Sequence, residues 1–246
     1  MGLSLIPKNP NLSSYVRVFK NPHIYTGFRN TLFRVILGTS LTMLATIMTA
    51  YPLSKKYFPN RSFWTSLLIF TMFFSGGLIP NYLMVRSLGI YNTVWSMVLP
   101  GLISTYNMII MRNFFMNIPG ELEESARIDG ANDFLILARI IVPVSGPIIA
   151  TVALWTMVSH WNAWFDCMIY ISTTSKQVLQ LMLRRIVLEG TMQLMELNTT
   201  TTDMGLTNPD SVKAATIMVA TMPILMVYPF LQKYFVKGVL IGSLKG

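Results

Sequence analysis

Pro119-Gly120-Glu121-Leu122-Glu123-Glu124-Ser125-Ala126-Arg127-Ile128-Asp129-Gly130-Ala131-Asn132-Asp133, running on to Pro143 and Pro147, is a polar island between long apolar runs. It holds five of the ten acidic residues of the chain. Ionised side chains are costly in hydrocarbon, so this stretch sits in water or against a partner. Pro119 suits a first helical position, and Glu121, Glu123 and Glu124 fill a first turn, where carboxylates favour the helix dipole. Gly130 can adopt the left-handed conformation that stops a helix, and Asn132 or Asp133 can cap the next, which Pro143 closes. The spacing predicts a helix, a sharp turn and a second helix at a membrane surface.

Composition sets the class around this island. Of 246 residues, 52% are hydrophobic and only 12% charged, and mean hydropathy is +0.51. Soluble domains carry about a quarter charged residues, so the chain reads as one polytopic membrane unit, all-α. The 19 Lys and Arg, which give a net charge of +9, are scattered in ones and twos. No basic stripe suits nucleic acid, and anionic headgroups account for the positive charge. The single cysteine, Cys167, excludes an internal disulfide, and His23 and His160 lack companions for a metal site.

Five apolar segments reach or nearly reach the roughly 20 residues that cross a bilayer. They cover about 31–54, 62–85, 87–111, 144–167 and 214–235. A polar tail, 1–29, precedes them, and the longest loop, 171–212, follows the fourth. Arg34 lies near one end of the first segment and can snorkel to the interface. Five crossings place the 55–61 turn, the 112–143 loop and the C-terminus on one side. Over the whole chain Lys and Arg divide almost evenly between the sides. In the short loops, three in the 53–62 turn face Arg86 alone, which leans towards the island's side being cytoplasmic. The stretch 178–188 is too short and too charged to span; it is either an interfacial docking surface or a helix plugging the bundle's outer rim. Thr199–Thr202 reads as loop, and Asn208-Pro209-Asp210 as a helix start.

The chain carries no phosphate-binding G-x-x-x-x-G-K-[ST] loop, G-x-S-x-G or H-E-x-x-H. It offers no catalytic constellation and no cofactor site of its own. Asp166 ends its segment and reads as an interfacial carboxylate. Trp155, Trp161, Trp164, Phe165 and Tyr170 form an aromatic cluster, with His160 and Asn162 as hydrogen-bonding neighbours. Such rings suit either the apolar faces of sugars or an interfacial belt, and the residues leave both open.

The pattern Glu124-Ser125-Ala126-x2-Asp129-Gly130-Ala131, followed by Ile140 and Pro143, resembles the EAA loop of binding-protein-dependent ABC importer permeases, with Ser125 where the family has alanine. Six identities at about 5–7% each arise by chance in roughly one window in ten million or fewer. Phe74–Pro80, His160–Asp166 and Tyr234–Ser243 look like the maltose-type (MalG-like) carbohydrate group, nearest its LplC/YtcP-like branch.

The resemblance implies a type I importer permease core lacking the family's usual first helix, multi-pass in a bacterial cytoplasmic membrane. The tail 1–29 and loop 171–212 would then be external. Glu121, Glu124, Ser125, Ala126, Asp129, Gly130, Ala131 and Pro143 would form the cytoplasmic coupling loop. In it Gly130 permits the turn, the alanines allow close approach, and Glu124 and Asp129 pair with the partner. Phe73, Tyr106, Asn107, Trp155, His160, Trp161, Asn162 and Trp164 would lie on the substrate path. The implied partners are a second, homologous permease, two copies of a cytoplasmic ATPase that holds ATP and Mg, an extracellular solute-binding lipoprotein, membrane lipid and an oligosaccharide. A permease for peptides, amino acids or anions, or a non-transporting scaffold, are the alternatives.

Overall fold

The computed structural model describes residues 12–188, 211–223, 225 and 226, which are helical or irregular, with no strand among them. Helix α1 (Ser13–Lys20) leads into α2 (Pro22–Ser54). The Asn21 side chain caps α2 by accepting from the His23 N–H at 2.9 Å, and Pro22 takes the first position. The tail expected to run to residue 29 is therefore largely helical from Ser13 onward. At 1.5 Å per residue, the 33 residues of α2 span about 50 Å, more than the hydrocarbon thickness of about 30 Å.

The second expected crossing is two helices, α3 (Arg61–Phe73) and α4 (Leu78–Ser87), bent by 114° at Phe74-Ser75-Gly76-Gly77. The third begins as a turn. Regular structure starts at α5 (Trp95–Val98), passes through a 3-10 turn at Leu99–Gly101 where Pro100 cannot donate, and resumes in α6 (Thr105–Met116). Ser104 caps α6 by accepting from the Asn107 N–H. The polar island is α7 (Glu121–Ile128), then α8 (Asp133–Ile136), a π-turn over Leu137–Ile141 and α9 (Val142–Val144).

Helix α10 (Gly146–Asn162) departs from the preceding rod at 84°, followed by α11 (Phe165–Tyr170) and α12 (Leu179–Leu188). Residues 211–223 form α13. Among the described residues, only α2 is by itself long and apolar enough to cross a membrane. Three segments qualify when each bent pair counts as one. Within the described residues, the segments expected at 62–85 and 144–167 are each bent or broken, and that expected at 87–111 begins as a turn. The Thr199–Thr202 run, Asn208-Pro209-Asp210 and the Tyr234–Ser243 tail lie outside the described residues.

Helix α2 is the axis of the packing, lying against α6, α10 and α12. Its buried positions include Gly27, Thr31, Gly38, Thr39, Thr42, Thr46 and Ala50. Small residues at helix contacts let backbones approach closely, which suits a bundle in lipid, where apolar burial alone drives little association. Tyr51 and Leu53 of α2 join Met108, Met111 and Phe115 of α6, Ile136 and Ile141, in one core. Ile24 and Val35 join Trp161, Leu179, Leu183 and Ala215 in a second core. The 178–188 stretch accordingly packs as a rim plug. Val178, Leu179, Leu181, Met182 and Leu183 are buried, and the Leu179 N–H donates to Thr31 Oγ1 at 2.9 Å.

Contacts sort the turns into two ends. At one end, Lys55 and Tyr57 meet Glu123, Arg127 and Asp133. At the other, Asn30 donates to Ser175 O and Gln177 O, and Asn92 bonds Tyr170 and Thr173. The 55–61 turn and the polar island share an end.

Candidate functional site

Helix α7 carries three carboxylates in its first turn without a side-chain cap. The aligned amide dipoles of the first turn favour negative charge, so Glu121, Glu123 and Glu124 stabilise the start electrostatically. Its end is a Schellman motif. The Ala131 N–H donates to Ala126 O at 2.9 Å and the Gly130 N–H to Arg127 O at 3.0 Å, with Gly130 left-handed at φ 84°. Asn132 then caps α8 by accepting from the Leu135 N–H at 2.9 Å. The alanines of the motif are thus explained from within: Ala126 and Ala131 close the turn through their backbones and pack on the first core.

Pro143 does not end the second helix. The helix widens before it, with the Val142 N–H reaching five residues back to Leu137 O, and the bend follows at Ser145. Pro143 has no N–H to give to residue 139 and its ring crowds that carbonyl, so a wider turn relieves the conflict.

The two faces of α7 differ. Glu123 is turned inward, 8% exposed, and forms a buried ion pair with Lys55 at the end of α2. Lys55 Nζ also stands 4.6 Å from the centre of the Tyr51 ring. Glu121, Leu122, Glu124, Ser125, Ile128 and Asp129 face outward. Ile128 is 88% exposed and Phe134 68%, so apolar side chains are interleaved with carboxylates on an open surface.

Beside it, Arg127 Nη2 donates to Asp133 Oδ1 at 2.8 Å and to Tyr57 Oη at 2.5 Å, and lies 4.6 Å from the Tyr57 ring centre. Tyr57 Oη donates to the same carboxylate oxygen at 3.1 Å. Burial, then that hydrogen bond and the charge of Asp133, push the Tyr57 phenol above its ordinary range, against the opposing Arg127. The grouping of Lys55, Tyr57, Glu123, Arg127 and Asp133 does not follow from the sequence motifs. The available signal was that opposite charges fell on loops predicted to share a side.

The residues expected on a substrate path divide. Tyr106 and Trp155 come together across α6 and α10, ring centres 6.4 Å apart. Phe73 is 77% exposed at the end of α3, and Asn107 and His160 are half-buried while Asn162 is exposed. Trp161 faces the second core, 6% exposed and edge-on to Phe28 at 5.9 Å, and so is a packing residue. Trp164 carries the Arg184 guanidinium 3.7 Å from its ring centre. Among the described residues, no ring contact joins Trp161 or Trp164 to the Tyr106–Trp155 pair.

Asp166 and Arg34, expected at the interface, are instead paired with each other. Arg34 is 2% exposed, holds both Asp166 oxygens, and donates to Ala163 O and Met97 O at 3.3 Å. No group of three or more His, Cys, Asp or Glu among the described residues is placed to hold a metal ion.

Comparison with known proteins places this arrangement. Residues 37–241 match the family described as binding-protein-dependent transport system inner membrane component. Protein LplC of Bacillus subtilis is 42% identical over 98% of this chain and 81% of its own length. The polygalacturonan/rhamnogalacturonan transport system permease protein YtcP of the same organism is 40% identical, over 98% and 84%. A chain in the crystal structure of a bacterial ABC transporter that imports the acidic polysaccharide alginate superposes with TM-score 0.87 at 31% identity. That match covers 96% of this chain and 84% of the other.

Proposed function

The chain belongs to the binding-protein-dependent transport system inner membrane component family, and on that premise we propose that it is one permease subunit of an ABC importer for an oligosaccharide released from a polysaccharide. Two relatives support the substrate class by their own activities: one permease serves polygalacturonan and rhamnogalacturonan, and one transporter serves alginate. The observation that carries the reading is the outward face of α7. Glu121, Glu124, Ser125, Ile128 and Asp129 are presented beside a Schellman turn at the end where the chain's short loops gather basic residues. This surface is the coupling helix for a separate ATPase. Carboxylates on it accept charge-assisted hydrogen bonds, and Ile128 and Phe134 supply apolar anchors.

ATP and Mg belong to the ATPase subunits, and a binding protein delivers the sugar from outside. A second permease completes the path, to which this chain contributes Tyr106 and Trp155. The loop 112–143 is cytoplasmic and the chain lies multi-pass in a bacterial cytoplasmic membrane.

The test is co-purification in mild detergent followed by uptake in proteoliposomes. An ATPase and a second permease should co-purify and be lost from Glu124→Lys/Ile128→Asp. ATP-dependent uptake of an oligogalacturonide or an alginate oligosaccharide should appear only with the complete complex. Recovery of this chain alone, correctly folded, would refute the reading; uptake of peptides but not sugars would refute its substrate.

A further inference from the structure

Resting on that reading, we infer that α2 is the rigid rod that carries movement of α7 across the membrane, with Lys55 and Glu123 as the positioning residues that tie the two helices together. Lys55 is fixed to α2: it follows Ser54 directly, and its N–H donates to Pro52 O at 3.1 Å. Its ammonium meets Glu123 on the face of α7 opposite the open one, so the docking surface and the tie occupy different sides of a helix eight residues long. Arg112 Nε of α6 donates to Leu53 O at 2.8 Å and steadies the same point.

Arg34, the thirteenth of the 33 residues of α2, is held in the same manner. Arg34 grips Asp166, Ala163 O and Met97 O, which belong to the break between α10 and α11 and to the last turn of α5. Lys55 follows Arg34 by 21 positions, which at 1.5 Å each is about 32 Å, close to the hydrocarbon thickness. Helix α2 and its C-cap therefore carry two buried cations, and each is paired with a carboxylate on another element. Among the described residues, the two helix pairs that are long and apolar enough to span only together are bent by 114° and 84°, and such breaks absorb displacement rather than passing it on.

Stability does not account for the charges. Apolar side chains of similar volume hold a buried contact equally well or better, whereas an ion pair specifies one register. A push on α7 is thereby delivered to a single point on α2. The exposed Arg127–Asp133 pair, screened by water, cannot fix position in this way.

The experiment uses the complete complex in proteoliposomes, with stimulation of ATP hydrolysis by sugar-loaded binding protein added outside as the readout of transmission. Lys55→Met/Glu123→Met should insert and retain the ATPase and its unstimulated hydrolysis, while the stimulation falls about tenfold. The charge-exchanged Lys55→Glu/Glu123→Lys should recover at least half of it. Full stimulation in the double-Met variant would overturn the inference. So would failure of the exchanged pair in a complex that still holds its ATPase, or loss of the ATPase from both variants, which would make the pair a requirement of folding. A wild-type complex that holds no ATPase at all would bring down the permease reading instead.

Discussion

Gly130 is left-handed, and a Cβ built on it meets nothing within 4 Å. The cost of a side chain there is therefore backbone strain alone, about 1–2 kcal/mol for an L-residue and less for Asn. Gly130→Ala should lower hydrogen-exchange protection of residues 121–131 and reduce uptake, and Gly130→Asn should restore most of both. Tyr57 makes a separate prediction. Its phenol titrates above the ordinary value of about 10. A raised value means that the contribution is complete below the unfolded value and is lost as pH rises through the folded one. Exchange protection of the 55–60 turn should thus stay flat between roughly pH 6 and 9 and fall only in stronger alkali. Tyr57→Phe should cost under about 1 kcal/mol, since the clasp it belongs to is exposed.

Between elements, α2 packs closely on α10 at Gly38. A Cβ at Gly38 would come within 2.6 Å of His160 Nε2. Gly38→Ala must push His160 out of place or part the helices, and overpacking of this kind costs about 1–3 kcal/mol. Thermal unfolding of the purified complex should fall by several degrees, and His160→Ala should relieve the effect in the double variant. The sequence pattern marks Gly38 only as one small residue in an apolar run. That His160 lies over it follows from the antiparallel packing of segments more than a hundred positions apart. The break at Ser145 follows Pro143, which the sequence marks as a helix end, but neither its angle nor that at 74–77 was legible. A glycine permits a bend; neighbouring helices set its size.

Among the described residues, two ion pairs with buried cations, one within α2 and one at its C-terminal end, stitch that helix to the rest. Removing one partner strands a buried charge, whereas removing both does not. Asp166→Asn should therefore destabilise the chain by about 3 kcal/mol, read as a lower Tm in detergent, and Arg34→Met/Asp166→Leu should recover most of the loss. An unchanged Tm for Asp166→Asn would show that Arg34 finds other partners.

By itself the sequence determined the membrane class and the helix–turn–helix of the polar island. Each depends on local causes: runs of apolar residues, the left-handed tolerance of Gly130, the capping oxygen of Asn132. Tertiary structure alone decided that Glu123 faces inward while Glu124 faces out, that Trp161 belongs to the core, and that Arg34 is buried on Asp166 rather than drawn to the interface. Facing and pairing depend on where distant helices lie. A charge that would seek water on an isolated helix is held inside once another element offers it a carboxylate.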